Sequence, residues 1–120
     1  QLNGYRLMWL LVMFDLPTGT RFERKAANGF RHDLLDMGFE MAQFSVYAKF
    51  CGGEPRRRAI LTKVKEALPE EGKVDILTFT DKQYESIVRF ENNTPTEISS
   101  RPRQFLLLWK KISFLNQIFT

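Results

Sequence analysis

Asp15 closes the apolar run Leu10-Leu11-Val12-Met13-Phe14, and Leu16-Pro17-Thr18 follows it as a turn. An acid placed where a strand-like run meets a proline turn stays within reach of water, so it can remain ionised and hold a metal ion or face a phosphate. A lone carboxylate is too little for Mg2+, which prefers about six oxygens and is usually held by two carboxylates, or by one together with phosphate. Two copies of the chain facing each other across a dimer axis would bring a pair of Asp15 carboxylates together. A plainer role is open to the same residue, accepting backbone hydrogen bonds inside the Asp-Leu-Pro turn. The sole histidine, His32, has no orienting acid near it in sequence and reads as a helix-surface residue, as do Asp33 and Asp36. Without a nucleophile and base pattern, serine or cysteine hydrolase chemistry has little support.

The basic residues cluster better than the acids. Arg21, Arg24, Lys25 and Arg31 surround the first predicted helix away from its apolar stripe, with Arg21 close to the Asp15 turn. Positive charge beside that carboxylate suits a phosphodiester backbone. Arg56, Arg57 and Arg58 open the second predicted helix, where the macrodipole disfavours cations, and this local misfit hints at an external anion. Arg101 and Arg103 offer a third contact. Charged helix faces also serve solubility alone, so both readings stand. The whole chain has 18 Lys and Arg against 14 Asp and Glu, a formal charge of +4, which modestly favours a polyanionic partner.

These residues must be positioned by a fold that the apolar pattern outlines. Residues 5–14 are apolar almost without break, which predicts a strand covered on both faces and central in its sheet. Thr20 and Glu23 make a capping box, and Phe22, Ala26, Phe30, Leu34 and Met37 follow at helical spacing until Gly38. Residues 39–50 alternate, but the apolar phase switches from Phe39 and Met41 to Phe44, Val46, Ala48 and Phe50. A two-residue repeat changes phase only through a bulge or tight turn, here near Gln43 to Ser45, so two short strands meet there. Pro55 opens a helix with Ile60, Leu61, Val64, Ala67 and Leu68 on its apolar face. Residues 73–80 form a strand, Thr80 and Gln83 cap a helical turn through Tyr84, and residues 87–90 make a short strand. The order βαββαβ is the ferredoxin-like split βαβ arrangement: an α+β fold with one antiparallel sheet and both helices on one face.

Residues 1–91 are expected to form that domain. Residues 92–104, with paired Asn, Pro, Ser and Thr, read as a linker, and residues 105–120 as a terminal strand and tail. The five residues Phe105-Leu106-Leu107-Leu108-Trp109 are so apolar that their strand must pair with something. The single cysteine, Cys51, excludes an intrachain disulfide and reads as a small filler at a strand end. No apolar run approaches the roughly eighteen residues of a membrane span, and the first residues lack the marks of a leader, so a cytoplasmic protein without a membrane partner is expected.

Met13-Phe14-Asp15-Leu16-Pro17-Thr18, then Glu23-Arg24-Lys25, then Gln43-Phe44-Ser45-Val46-Tyr47, then Leu77-Thr78-Phe79-Thr80-Asp81-Lys82-Gln83-Tyr84 together resemble the second universal CRISPR-associated adaptation protein, the Cas-two family. The likeness spans about residues 6–109 and is greatest to versions that accompany type II systems. It implies a ferredoxin-like protomer in a homodimer, with residues 105–109 crossing to extend the partner's sheet. It implies that Asp15 is the family acid whose facing copies form the proposed Mg2+ site. It also implies a subunit of spacer acquisition that binds double-stranded DNA and bridges the integrase subunits, Cas-one. Members are alternatively assigned Mg2+-dependent endonuclease activity, as endoribonucleases or double-stranded DNases. Phe14 replaces the tyrosine that many members carry before the acid, removing a hydroxyl from any metal shell. Residues 110–120 fall outside the motif match and are left a docking role. An RNA-binding module that uses Phe44 and Tyr47 as sheet aromatics is a third reading of the same fold.

Overall fold

The computed structural model describes residues 6–97, which divide into two units between Ile87 and Val88. In the first unit the elements follow the chain as β1 (Met8–Asp15), α1 (Arg21–Asp36), β2 (Glu40–Gln43), β3 (Val46–Gly52), α2 (Glu54–Glu66), β4 (Lys73–Thr80) and α3 (Asp81–Glu85). The most apolar strand is the central one. β1 pairs antiparallel with β3 on one side and β4 on the other, and β2 extends the sheet beyond β3, giving the order β2-β3-β1-β4. This is the ferredoxin-like βαββαβ arrangement that the sequence pattern predicts.

Alternation within β1 separates two faces. Leu10 and Val12 point to the core with Tyr47 and Cys51 of β3, against Phe30 and Leu34 of α1 and Ile60 and Val64 of α2. Both helices therefore cover one face, and each fully buried aliphatic or aromatic side chain there stabilises the fold by about 1.5–3 kcal/mol. Among the described residues of the first unit, the opposite face is covered at one end only. There Trp9 stacks on Tyr84 of α3 with ring centroids 4.0 Å apart, and its indole Nε1 donates to Asp81 Oδ1 at 2.9 Å. Towards the Asp15 end, Leu11 and Met13 are only half-buried and Leu77 is 50% exposed.

Local signals set the boundaries. The Thr20 hydroxyl accepts from the Glu23 N–H while the Glu23 carboxylate accepts from the Thr20 N–H, and Thr80 and Gln83 repeat the device at α3. Gly38 ends α1 at φ +95°, in the left-handed region that glycine tolerates. The phase switch is resolved as expected: the β2–β3 register shifts between Met41 and Gln43, and Ser45 turns the chain at φ +62°. Phe22 departs from the expected apolar stripe, being 78% exposed. Its turn of α1 lies beside the loop residues Leu16, Pro17 and Pro69, and no strand residue of the described chain lines the hollow there.

In the second unit β5 (Arg89–Glu91) and β6 (Thr94–Thr96) form a hairpin, so part of the stretch that reads as a linker is paired strand. Asn92 and Asn93 both adopt positive φ, the requirement of a tight two-residue hairpin loop. Residues 98–120, including the expected strand 105–109 and Arg101 and Arg103, lie outside the described residues.

Candidate functional site

Asp15 ends β1 with its side chain exposed, and two turns hold its backbone. The Phe14 N–H donates to the Ser45 carbonyl at 3.1 Å, tying the β2–β3 turn to the strand end. On the other side Gly72, at φ +97°, approaches so closely that a Cβ there would lie 2.9 Å from the Asp15 carbonyl oxygen and 2.7 Å from Leu16 Cδ2. The acid is thus presented on a braced strand end.

An open trough of about 500 Å3 runs from Asp15 and Thr18 along α1 to the β2–β3 turn. Arg24, Asn28 and Arg31 line it from α1 at spacings that place them on one helix stripe. Arg24 Nη1 donates to the Thr18 carbonyl at 3.2 Å, and Arg31 Nη2 donates to Asn28 Oδ1 at 3.3 Å. Among the described residues the ion pairs involve Glu54 with Arg57 and Arg58, so neither trough guanidinium is neutralised by a carboxylate. Phe44, 91% exposed at the tip of the turn, forms the far wall.

Phe44 and Asp15 also border a second hollow of about 210 Å3 with Met13, Lys73 and Asp75. Asp15 is directly opposite Lys73 and Met13 directly opposite Asp75, so these side chains share the open face of the sheet. Asp15 and Asp75 are diagonal neighbours, about 7–8 Å apart by strand geometry. Among the described residues no three His, Cys, Asp or Glu side chains gather into a metal cage. One chain offers an oxygen-only pair, a donor set that suits a hard cation such as Mg2+ completed by phosphate.

The structure sorts the expected basic residues. Arg24 and Arg31 join Asp15 in the trough, whereas Arg21 and Lys25 are exposed and line neither hollow. At the start of α2, Arg57 donates to the Glu54 carboxylate at 2.8 and 2.6 Å and to Thr78 Oγ1 at 3.1 Å. These bonds hold the Glu54 carboxyl below its ordinary value of 4.5. Arg58 Nε stands 3.9 Å from the same carboxylate, so the cationic misfit is offset within the helix for these two. Arg56 is exposed; burial, and then the Arg56 charge, push the Lys49 ammonium below its usual range. Tyr47 is only 1% exposed and cannot stack on a base, which removes it from the aromatic pair considered with Phe44. Cys51 is buried, as a filler should be, and burial pushes its thiol up. His32 is exposed and borders neither hollow. Asn28, Lys73 and Asp75 were missed by sequence reasoning; the alternation Lys73, Asp75, Leu77 was the available signal for the last two.

The family model for CRISPR associated protein Cas2 matches residues 8–87, which contain every residue of both hollows. A "CRISPR-associated endoribonuclease Cas2" from Paracidovorax avenae is 52% identical over 104 residues, covering 87% of this chain and 96% of the relative. The protein of the same name from Flavobacterium psychrophilum is 44% identical over 109 residues, 91% of this chain and 94% of the relative. That from Streptococcus mutans is 37% identical over 101 residues, with 84% and 93% covered. A match of this extent, carried on the sheet and helices that present Asp15, Arg24 and Arg31, makes the chain a member of the CRISPR-associated Cas2 family.

Proposed function

We propose that this Cas2 protein is a structural, DNA-binding subunit of spacer acquisition: a homodimer that holds double-stranded DNA and bridges Cas-one integrase subunits in the cytoplasm. The observation that carries the reading is the trough in which Arg24 and Arg31, unpaired with any described carboxylate, flank an open path along α1. Guanidiniums so placed can each neutralise a phosphate and release its counterion. Association of two copies is supported by the half-open sheet face of Leu11, Met13 and Leu77, and residues 105–109 would add a strand to the partner's sheet.

The test is duplex binding across a salt series. Replacing both Arg24 and Arg31 by alanine should weaken binding and make the slope of log K against log salt shallower by about two. An unchanged slope and affinity would remove the trough from the DNA path. Arg21, Lys25 and Arg56 to Arg58 form the second set of proposed contacts, and alanine there should act additively only if they also touch phosphate.

A Mg2+-dependent endonuclease, acting on RNA or double-stranded DNA, is the second reading; the relatives' names and the Asp15 and Asp75 pair favour it. Mg2+, when bound, supplies charge for the phosphate and a more acidic water. Asp15 would hold it with its copy from the partner protomer, Asp75 would add a further oxygen donor, and Lys73 would face the phosphate. Asp15→Asn should abolish both calorimetric Mg2+ binding and cleavage while leaving the dimer intact. Cleavage that survives the substitution would leave the structural role alone.

A further inference from the structure

Phe22 stands at the mouth of a third hollow, of about 90 Å3, walled by Leu16, Pro17, Ala26 and Pro69. It is 78% exposed, and Leu68 next to Pro69 is 42% exposed, so the apolar surface here continues beyond the hollow. The rim is acidic. Glu23, Glu70 and Glu71 line it and no basic residue does. Glu23 is fixed by its capping bond to the Thr20 N–H, whereas Glu70 and Glu71 are exposed and make no ion pair with a described residue.

This chemistry is the opposite of the trough's, although α1 contributes to both. Carboxylates repel a phosphate backbone, so the nucleic acid proposed above has no use for this face. An apolar floor of this size takes one branched aliphatic side chain, and the acidic edge attracts cations beside it. We propose that the Phe22 hollow is a protein-docking site for a short segment that inserts one aliphatic side chain against Phe22 and sets Lys or Arg against Glu70 and Glu71. The same protomer then holds nucleic acid along the Arg24 and Arg31 flank of α1 and a protein partner on the flank of Phe22 and Ala26.

Two octapeptides test this on the full isotope-labelled chain: one with a central leucine between arginine pairs, the other with glutamates replacing the arginines. The arginine peptide should shift the amide resonances of Phe22, Ala26, Glu70 and Glu71, and its affinity should fall as salt rises. Phe22→Ser, and separately the double change Glu70→Gln with Glu71→Gln, should each weaken it by about tenfold or more without weakening duplex DNA binding. Because all three side chains are exposed, these variants should keep the wild-type Trp9 resonances. The proposal is overturned if neither peptide shifts these resonances, if both shift them equally, or if Phe22→Ser converts a dimer to a monomer by light scattering. That last result would make a second copy of the chain the occupant. Loss of DNA binding in Arg24→Ala with Arg31→Ala bears only on the trough, so the two readings fail separately.

Discussion

A methyl group on residue 72 would strike the backbone that carries Asp15. Gly72 adopts φ +97°, and its Cβ position lies within 3.1 Å of the Leu16 Cα as well as nearer to the Asp15 carbonyl. Gly72→Ala should therefore cost about 1–3 kcal/mol in denaturant unfolding and shift the amide resonances of Asp15 and Leu16. The same substitution at Gly29, which has no atom within 4 Å of a Cβ, should shift neither. Asp15 was legible in the sequence because its signal is local, an apolar run and a proline turn in contact. Arg24 and Arg31 were legible as residues off an apolar helix stripe. Lys73 and Asp75 were not, because their place beside Asp15 depends on a strand register set by residues nearly sixty positions apart. Phe44 and Tyr47 looked alike as strand aromatics; the turn at Ser45 exposes one and buries the other.

The start of α2 shows how a helix accommodates charge that its dipole disfavours. Gly53 at the N-cap offers no side-chain bond, and Glu54 supplies the negative charge there while binding Arg57. Because the folded Glu54 carboxyl titrates below 4.5, its contribution is fully present above that pH and is lost as pH falls through the lower folded value. Glu54→Gln should lower the thermal midpoint at neutral pH, and the gap to the parent chain should close on acidification below about pH 4.5. A constant gap across the titration would show that the pair does not contribute through its charge. Both capping boxes could be read from sequence, since each joins residues within one turn. The exposure of Phe22 could not, because periodicity reports which residues share a helix stripe and not where the supporting sheet ends.

The βαββαβ order was visible in the alternation of apolar periods, and with it the central place of β1. The unbroken apolar run of β1 predicted cover on both faces, yet Leu11 and Met13 are only half-buried among the described residues; what covers them on the open sheet face was not legible, since such a run is the same whatever lies above it. If two copies pack through this face, Leu77→Glu at its centre should give a monomer by light scattering with an unchanged near-ultraviolet spectrum. A persistent dimer would move the association elsewhere. The covered end of the same face has a further use. The chain has two tryptophans, and with Trp109→Phe the remaining indole is Trp9, clamped on Tyr84 and bonded through Nε1 to Asp81. Its emission then becomes a built-in optical gauge of whether α3 stays seated while nucleic acid, metal ion or a second subunit arrives.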